Sequence, residues 1–192
     1  MFPELAKYDG TNPTGFYLSE KLNGVRALWN GVEFISKNGN PFAVPFDLKR
    51  IMPALHLDGE LYANGDLGRI AGLCRRKLSA TDEWQGVTFQ IFDSPFHTLN
   101  FADRLNQIAG LTLPPFCRVA QQSICTGSEH LRSEYERIKA AGGEGLVIKS
   151  PAHMFRAGQS ALSFKIKYLD DFEIDGCTFD ENGRFICVRD YE

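Results

Sequence analysis

Short apolar runs of β type, separated by Asn-Gly steps, recur along the chain and predict strands joined by tight turns. Two such runs, VRALW and VEFIS, flank Asn30-Gly31. This pair is typical of a two-residue hairpin, because both central residues of a type I′ turn need positive φ. Asn64-Gly65 and Asn182-Gly183 suit hairpins for the same reason. Further strands are predicted at 87–92, 145–149 and 163–168.

Helical spacing of apolar residues is found in three segments. Residues 67–78 and 101–111 each place apolar side chains near one face. The clearest helix begins near Ser128, and Gly142-Gly143 is expected to end it. Strands and helices in this irregular order predict an α+β fold dominated by antiparallel sheet.

Composition adds that the protein is an ordinary soluble one of 192 residues, enough for one good-sized core or a domain with a small appendage. The net charge of −3 means that any nucleic-acid contact must come from a local patch. Five cysteines without a C-x-x-C pair, and four scattered histidines, indicate reduced thiols and no structural metal. Neither a signal peptide nor a membrane-spanning run is recognisable, so we expect a cytoplasmic protein.

The segment from Lys21 to Arg26, KLNGVR, joins an extended run to the first hairpin. A lysine amine that has lost its proton is a nucleophile, and the neighbouring Gly24 allows close backbone approach. Taken alone, the hexapeptide is equally consistent with an exposed lysine beside a turn glycine.

Four later segments favour the nucleophile. They are Asp58-Gly59-Glu60-Leu61, Ile91-Phe92-Asp93, the run EGLVIK from Glu144 to Lys149, and Phe164-Lys165-Ile166-Lys167. Alternate residues of a strand share a face, so Lys165 and Lys167 can both face one pocket. Carboxylates can hold a metal or a ribose, lysines can neutralise phosphate, and an aromatic ring can stack on a base. This combination suits a nucleoside triphosphate.

In this order, the motifs resemble those of the covalent nucleotidyltransferase superfamily of DNA ligases, RNA ligases and mRNA capping enzymes. The chain is most similar to minimal bacterial and phage ATP-dependent DNA ligases. FYLSEKLNGVRALWNG, SKNGNPF, LDGELYA, GLCRRK, AGGEGLVIK, FRAGQS and FKIKYLDD carry the resemblance, over roughly residues 14–171. It implies a nucleotidyltransferase (ATP-grasp-like ligase adenylation) fold of antiparallel sheets flanked by helices.

The resemblance also implies the chemistry. Lys21 would attack the α-phosphate of ATP, expel pyrophosphate and become linked to AMP. Lys165 and Lys167 would bind the α-phosphate and stabilise charge during transfer. The cofactor metal would be Mg²⁺, with Mn²⁺ as a substitute, and the metal candidates are Glu60 and Glu144.

Nucleotide recognition is implied for five residues. Arg26 would contact the ribose and the nick phosphate, Glu60 would hold the ribose, and Phe92 would stack on adenine. Ser19 and the backbone of Glu20 lie where these ligases recognise the adenine edge.

DNA contacts are expected from basic residues outside the nucleotide motifs. Ser36-Lys37-Asn38-Gly39 matches a segment that usually reads Ser-Arg-x-Gly and grips the 5′-phosphate of the nick. Lys37 supplies charge there but lacks the bidentate guanidinium fork. Arg75, Arg76 and Lys77 match a DNA-facing helix of small ligases, and Arg156 is a further candidate.

The chain departs from the family pattern in two places. The usual lysine motif is K-x-D-G-x-R, whereas Asn23 replaces the aspartate here, so we expect slower self-adenylylation. Ligases of this family also continue into an OB-fold domain. We therefore predict a nucleotidyltransferase domain over residues 1–169 and a short C-terminal hairpin or OB-fold stub over residues 170–192.

The leading hypothesis is a monomeric ligase that seals nicks in duplex DNA with ATP. An RNA ligase is the first alternative, because the shared motifs bind nucleotide and do not distinguish the sugars of the ends. A GTP-using capping enzyme fits the flanking stretches less well. A non-catalytic nucleotide- or nucleic-acid-binding relative is favoured by Asn23, whereas the intact Lys21, Glu60, Glu144, Lys165 and Lys167 argue against it.

Overall fold

A computed structural model describes residues 2–167, 177–179 and 185–187. The chain forms two compact units. The first comprises residues 22–120 with Phe2 and 154–157, and the second comprises 3–21, 121–153 and the described part of 158–192.

The described residues form short strands and few helices. The strands are β1 (Pro3–Lys7), β2 (Tyr17–Glu20), β3 (Val25–Trp29), β4 (Phe34–Ile35), β5 (Leu57–Tyr62), β6 (Thr88–Asp93), β7 (Cys117–Val119), β8 (Ser123–Ile124), β9 (Gly145–Lys149), β10 (Gly158–Lys167), β11 (Cys177–Phe179) and β12 (Phe185–Cys187). The helices are α1 (Phe46–Lys49), α2 (Leu67–Cys74), α3 (Phe101–Ala109) and α4 (Ser128–Ala140), with a short 3-10 helix at Asp82–Trp84. No helix of the described residues has the apolar length needed to span a bilayer.

The first unit is built on a five-stranded sheet in the order β4-β3-β5-β6-β7. Its pairs are antiparallel except β6 with β7, which is parallel. One face is apolar and buried, with α2 packed against it. The core side chains from these strands alternate in sequence, as a period of two requires: Ala27, Trp29, Leu57, Leu61, Phe89 and Ile91.

The second unit is built on a sheet in the order β1-β10-β9-β2-β8. Here β1 runs parallel to β10, and the other pairs are antiparallel. Helix α4 packs on this sheet through Leu131, Tyr135 and Ile138. These side chains share one helix face because they recur at intervals of three or four residues. They meet a buried row of Leu18, Ile148 and Phe164.

The sequence predicted the helices well and two of the turns less well. The three predicted helices are present, each ending within a few residues of the expected position. The Asn30-Gly31 hairpin exists, but it is not a type I′ turn, because Asn30 has no positive φ and four residues separate Trp29 from Phe34. Asn30 instead accepts hydrogen bonds from the Val32 and Glu33 N–H groups through Oδ1.

The hairpin prediction at Asn64-Gly65 is wrong. Both residues have positive φ, as a type I′ turn requires, yet the chain continues into α2. The side chain of Asp66 accepts a hydrogen bond from the Arg69 N–H at 2.9 Å and caps that helix. The local turn signal is therefore real, but the cap determines which element follows.

The described residues cover only part of the predicted C-terminal hairpin. Strand β11 pairs with β12 in antiparallel register, Cys177 opposite Cys187. The turn predicted at Asn182-Gly183 lies outside the described residues. The boundary at residue 169, and the assignment of 170–192 as a hairpin or OB-fold stub, stay predictions.

Candidate active site

The second sheet presents a polar face opposite its buried one. On β10, Phe164 and Ile166 are buried, whereas Lys165 and Lys167 lie on the other face. The prediction that the two lysines share a face is therefore confirmed by the alternation of the strand. Lys165 is opposite Val147, which is in turn opposite Ser19 on β2, so that Ser19 lies on the same row of the sheet.

Lys21 lies at the end of this face, directly after β2. Its backbone N–H donates to the carbonyl of Gly145 at 2.8 Å, which continues the pairing of β2 with β9. Glu144 immediately precedes β9 and reaches two lysines: its Oε1 is 2.6 Å from Lys21 Nζ and 2.9 Å from Lys167 Nζ. Three residues far apart in sequence thus meet in one charged cluster.

The electrostatics of this cluster keep Glu144 ionised. Partial burial raises the pKa of Glu144, but the hydrogen bonds and positive charges of Lys21 and Lys167 outweigh it, so the pKa lies below its ordinary value. About a fifth of each side chain of the Lys21–Glu144 pair is exposed, 21% and 22%. The cluster is therefore open to a ligand from solution.

Gly145 is required where β9 meets β10. Its φ of 154° is in the region that favours glycine, and a Cβ there would overlap the backbone of Ile166. Gly145 is opposite Lys167 in the register of the two strands. The close approach of the strands therefore brings Lys167 within reach of Glu144.

The first sheet also has a polar face. Arg26 on β3 is opposite Glu60 on β5, and Glu60 is opposite Gln90 on β6. Phe92, two residues after Gln90, is half-buried on the same strand face, 5.6 Å from the Arg26 guanidinium carbon to the ring centroid. Three residues predicted to contact the nucleotide, Arg26, Glu60 and Phe92, are thus brought together.

Only a glycine fits at position 24, just before β3. A Cβ at Gly24 would lie 2.5 Å from the Leu61 carbonyl oxygen and 2.7 Å from Glu60 Cγ. The glycine therefore permits the close approach of the loop after Lys21 to β5, where Glu60 lies.

Arg26 is held by a carboxylate to which the sequence motifs assigned no role. The Nε and Nη2 atoms of Arg26 are 3.1 and 2.6 Å from the two oxygens of Asp58, which is fully buried. Burial lowers the pKa of Arg26, but the charge and hydrogen bonds of Asp58 more than offset it and the pKa is raised. The sequence contained a signal for this residue. Asp58 lies two positions before Glu60 on one strand, and side chains two positions apart share a face.

The remaining predicted residues lie at the surface. Glu20 is exposed at the end of β2. The DNA-binding candidates are all exposed and all belong to the first unit: Lys37, Arg75, Arg76, Lys77 and Arg156. Arg76 forms an ion pair with Glu83, which also accepts from the Ala80 N–H.

Comparison with known proteins supports this assembly of motifs. A solved structure of a Lig E DNA ligase matches with a TM-score of 0.81 at 31% sequence identity, covering 88% of this chain and 69% of the solved one. The chain belongs to the Lig E family of DNA ligases. This confirms both the resemblance and the predicted α+β nucleotidyltransferase fold. No family model matches the chain.

A more distant ligase of known structure shares the fold, and a curated relative is similar in sequence. The ATP-dependent DNA ligase of bacteriophage T7, solved with ATP, matches with a TM-score of 0.66 at 17% identity, over 98% of this chain and 80% of that one. A DNA ligase of Haemophilus influenzae is 24% identical over 166 residues, covering 85% of this chain. The chain spans 62% of the length of that curated relative.

Proposed function

We propose that the protein is an ATP-dependent DNA ligase that forms a lysyl-AMP intermediate on Lys21 and seals nicks between a 5′-phosphate and a 3′-hydroxyl. The cluster of Lys21, Glu144 and Lys167 is the observation that supports this most directly. It brings an amine beside a carboxylate and a second cation, an arrangement that suits an amine nucleophile and the stabilisation of charge on a phosphate.

The reaction has three steps. In the first, Lys21 Nζ gives up its proton to solvent and attacks the α-phosphorus of ATP. A P–N bond forms, the bond from that phosphorus to the oxygen bridging to the β-phosphate breaks, and pyrophosphate leaves. AMP then passes to a 5′-phosphate oxygen of the nick and Lys21 regains its free amine. Finally the 3′-hydroxyl attacks that phosphate and AMP leaves. Lys165 and Lys167, on one strand face, are suited to hold the α-phosphate charge throughout.

Nucleotide recognition is assigned to the polar face of the first unit and to β2. Glu60 is suited to the ribose hydroxyls, Phe92 to stacking on adenine, and Arg26 to the ribose and nick phosphate, because they lie together on one sheet face. Ser19 and the Glu20 backbone remain proposed for the adenine edge.

A divalent metal fits the carboxylate of Glu144. The described residues contain no group of three or more His, Cys, Asp or Glu that could hold a metal by themselves. Mg²⁺ in nucleotide enzymes is held by one or two carboxylates together with substrate phosphates, and Glu144 is ionised and partly exposed. When bound, Mg²⁺ or Mn²⁺ would neutralise phosphate charge. Glu60, which lies in the first unit, stays a separate metal candidate.

The proposed DNA substrate is bound by Lys37, Arg75, Arg76, Lys77 and Arg156. Their exposure and positive charge support phosphate contact, and the Lig E ligase that this chain resembles binds DNA with a minimal scaffold. We further propose that the protein works as a monomer in the cytoplasm. The buried, reduced thiols of Cys74, Cys117 and Cys125 are consistent with that compartment.

Covalent labelling tests the proposal. Protein freed of AMP is incubated with ATP labelled at the α-phosphate and Mg²⁺, then denatured; we expect a labelled adduct on the wild type and none on Lys21→Ala. Lys139→Ala is the matched control, because Lys139 is an exposed lysine of α4 in the same unit. It should label like the wild type.

Nicked substrates then test the second half of the proposal. We expect the labelled protein to seal nicked duplex DNA faster than a nick with RNA ends. Absence of an adduct on the wild type would exclude a ligase mechanism, and faster sealing of RNA ends would replace the DNA substrate by RNA.

A further inference from the structure

We propose that Arg104 is a positioning residue that keeps Arg26 on Asp58, acting through the neighbouring carboxylate of Asp93. The consequence for AMP transfer rests on the proposed function, whereas the orientation of Arg26 does not. The four residues all belong to the first unit.

Arg104 is a fully buried cation that contacts Asp93 and the Leu99 carbonyl. Its Nε is 2.6 Å from Asp93 Oδ1, its Nη2 is 3.2 Å from Asp93 Oδ2, and its Nη1 donates to the Leu99 carbonyl at 2.6 Å. Both Arg104 and Asp93 are 0% exposed. This bidentate contact fixes the plane of the Asp93 carboxylate, which also accepts from the Ser94 N–H at 2.8 Å.

Asp93 lies beside the carboxylate that holds Arg26. Asp58 and Asp93 are directly opposite each other in the pairing of β5 with β6, next to a register shift between Asp58 and Gly59. Asp58 is also 0% exposed and carries Arg26 on both of its oxygens. Two buried carboxylates on adjacent strands thus each contact an arginine, in the order Arg26, Asp58, Asp93, Arg104.

Because Arg104 neutralises Asp93, this arrangement favours the binding of Arg26 to Asp58. Asp93 is already among the charges that raise the pKa of Arg26, so the two groups act on each other at their present separation. If Arg104 were neutral, Asp93 would be a buried anion without its bidentate partner. Arg26, which pairs with the Asp58 carboxylate directly opposite Asp93, would then be drawn from Asp58 towards Asp93, and its proposed contact with the nick phosphate would be displaced.

A double-substitution cycle separates this role from simple packing. Arg104→Met removes the cation, Asp93→Asn removes the charge while keeping an acceptor oxygen for the Ser94 N–H, and the third variant carries both changes. The first readout is the side-chain Nε–H signal of Arg26 in NMR spectra, assigned with Arg26→Lys. The second is the rate at which the AMP-protein passes AMP to nicked DNA.

We expect R104M to shift the Arg26 signal and to slow AMP transfer on the order of 10- to 100-fold, since a misplacement of about 1 Å costs on that scale. Adding D93N should return the signal towards its wild-type position and bring the rate to within roughly fivefold of wild type, because the competing anion is gone. If Arg104 served only to fill the core, the double variant would not recover. It has methionine at position 104, as R104M has, and therefore lacks the same side-chain volume.

An unmoved Arg26 signal in R104M, or a double variant as slow as R104M, would overturn the proposal. If R104M does not fold, Arg104→Gln takes its place in the same cycle, since glutamine also removes the cation while keeping a hydrogen-bond donor. Arg137→Met is the control, because Arg137 pairs with Glu134 on the exposed face of α4. If the wild type forms no AMP adduct, the proposed function fails, while the NMR comparison still decides the position of Arg26.

Discussion

Asn23 occupies the position two residues after Lys21 where the family motif has aspartate. Its side chain is exposed in the loop before β3. An amide can accept a hydrogen bond as a carboxylate does, but it carries no charge with which to orient or activate a neighbouring amine. The substitution is therefore expected to affect the rate of Lys21 charging more than the affinity for ATP.

Asn23→Asp should accordingly accelerate AMP-lysine formation, by about tenfold if one charge–charge interaction of roughly 1.4 kcal/mol is regained. Single-turnover labelling with saturating ATP measures this rate. Asn38→Asp provides the control, because it adds the same charge to an exposed loop of the same unit. An unchanged rate in N23D would show that the aspartate of the family motif is dispensable here.

The candidate site was predictable from the sequence where a motif marked it. Lys21, Glu144 and Lys167 were identified from their motifs, and the structure brings them into one cluster. The proposed role of Arg104 was not found. Arg104 resembles an ordinary polar residue of a helix until its burial is known. Register and burial depend on contacts between distant segments, which local patterns do not specify.

Strands β9 and β10 approach each other unusually closely at Gly145. Gly145→Ala should lower the free energy of unfolding by about 1–3 kcal/mol, because the new Cβ overlaps the backbone of Ile166 and must push β10 away. The same displacement moves Lys167 from Glu144, so we expect AMP-lysine formation to slow as well. Urea denaturation and ATP labelling measure the two effects.

Gly72→Ala is the matched control for that substitution. Gly72 lies in α2 with nothing within 4 Å of an added Cβ, so alanine should stabilise the helix by up to about 1 kcal/mol. A G145A protein as stable as the wild type would mean that β9 and β10 can separate without cost.

At the level of elements, local signals predicted helices better than turns. The apolar spacing of α4 and its terminal glycines are local properties, and the helix forms as predicted. Asn64-Gly65 adopts the backbone expected of a hairpin turn, yet the Asp66 cap directs the chain into α2. The parallel pair β1–β10 joins segments far apart in sequence, and the parallel pair β6–β7 joins strands separated by α3. No local sequence pattern predicted either pairing.

At the scale of the whole molecule, the residues proposed to bind DNA and the charged cluster around Lys21 belong to different units. The net charge is −3, yet all five DNA-binding candidates belong to the first unit. Lys21, Glu144, Lys165 and Lys167 belong to the second. A chain that is acidic overall can bind a polyanion only through such local concentration of positive charge, and that binding must weaken as salt screens it.

The basic run Arg75-Arg76-Lys77 after α2 allows the proposed DNA binding by local positive charge to be tested residue by residue. Among the described residues, Arg75 and Lys77 have no charged side-chain partner, whereas Arg76 is paired with Glu83. A phosphate contact by Arg76 requires that ion pair to be given up. Arg75→Ala and Lys77→Ala should each weaken binding to nicked DNA and reduce the slope of log K against log salt by about 0.9, the value for one phosphate contact.

Arg76→Ala should change that slope less than either neighbour, because its charge is already matched. Fluorescence anisotropy with nicked duplex DNA over a series of salt concentrations gives the slopes, and Arg137→Ala, which removes an exposed arginine from the second unit, is the control. Equal slope changes for all three variants would mean that Arg76 exchanges Glu83 for phosphate on binding. Unchanged slopes in R75A and K77A would place the DNA contact elsewhere on the first unit, with Lys37 and Arg156 the next residues to substitute.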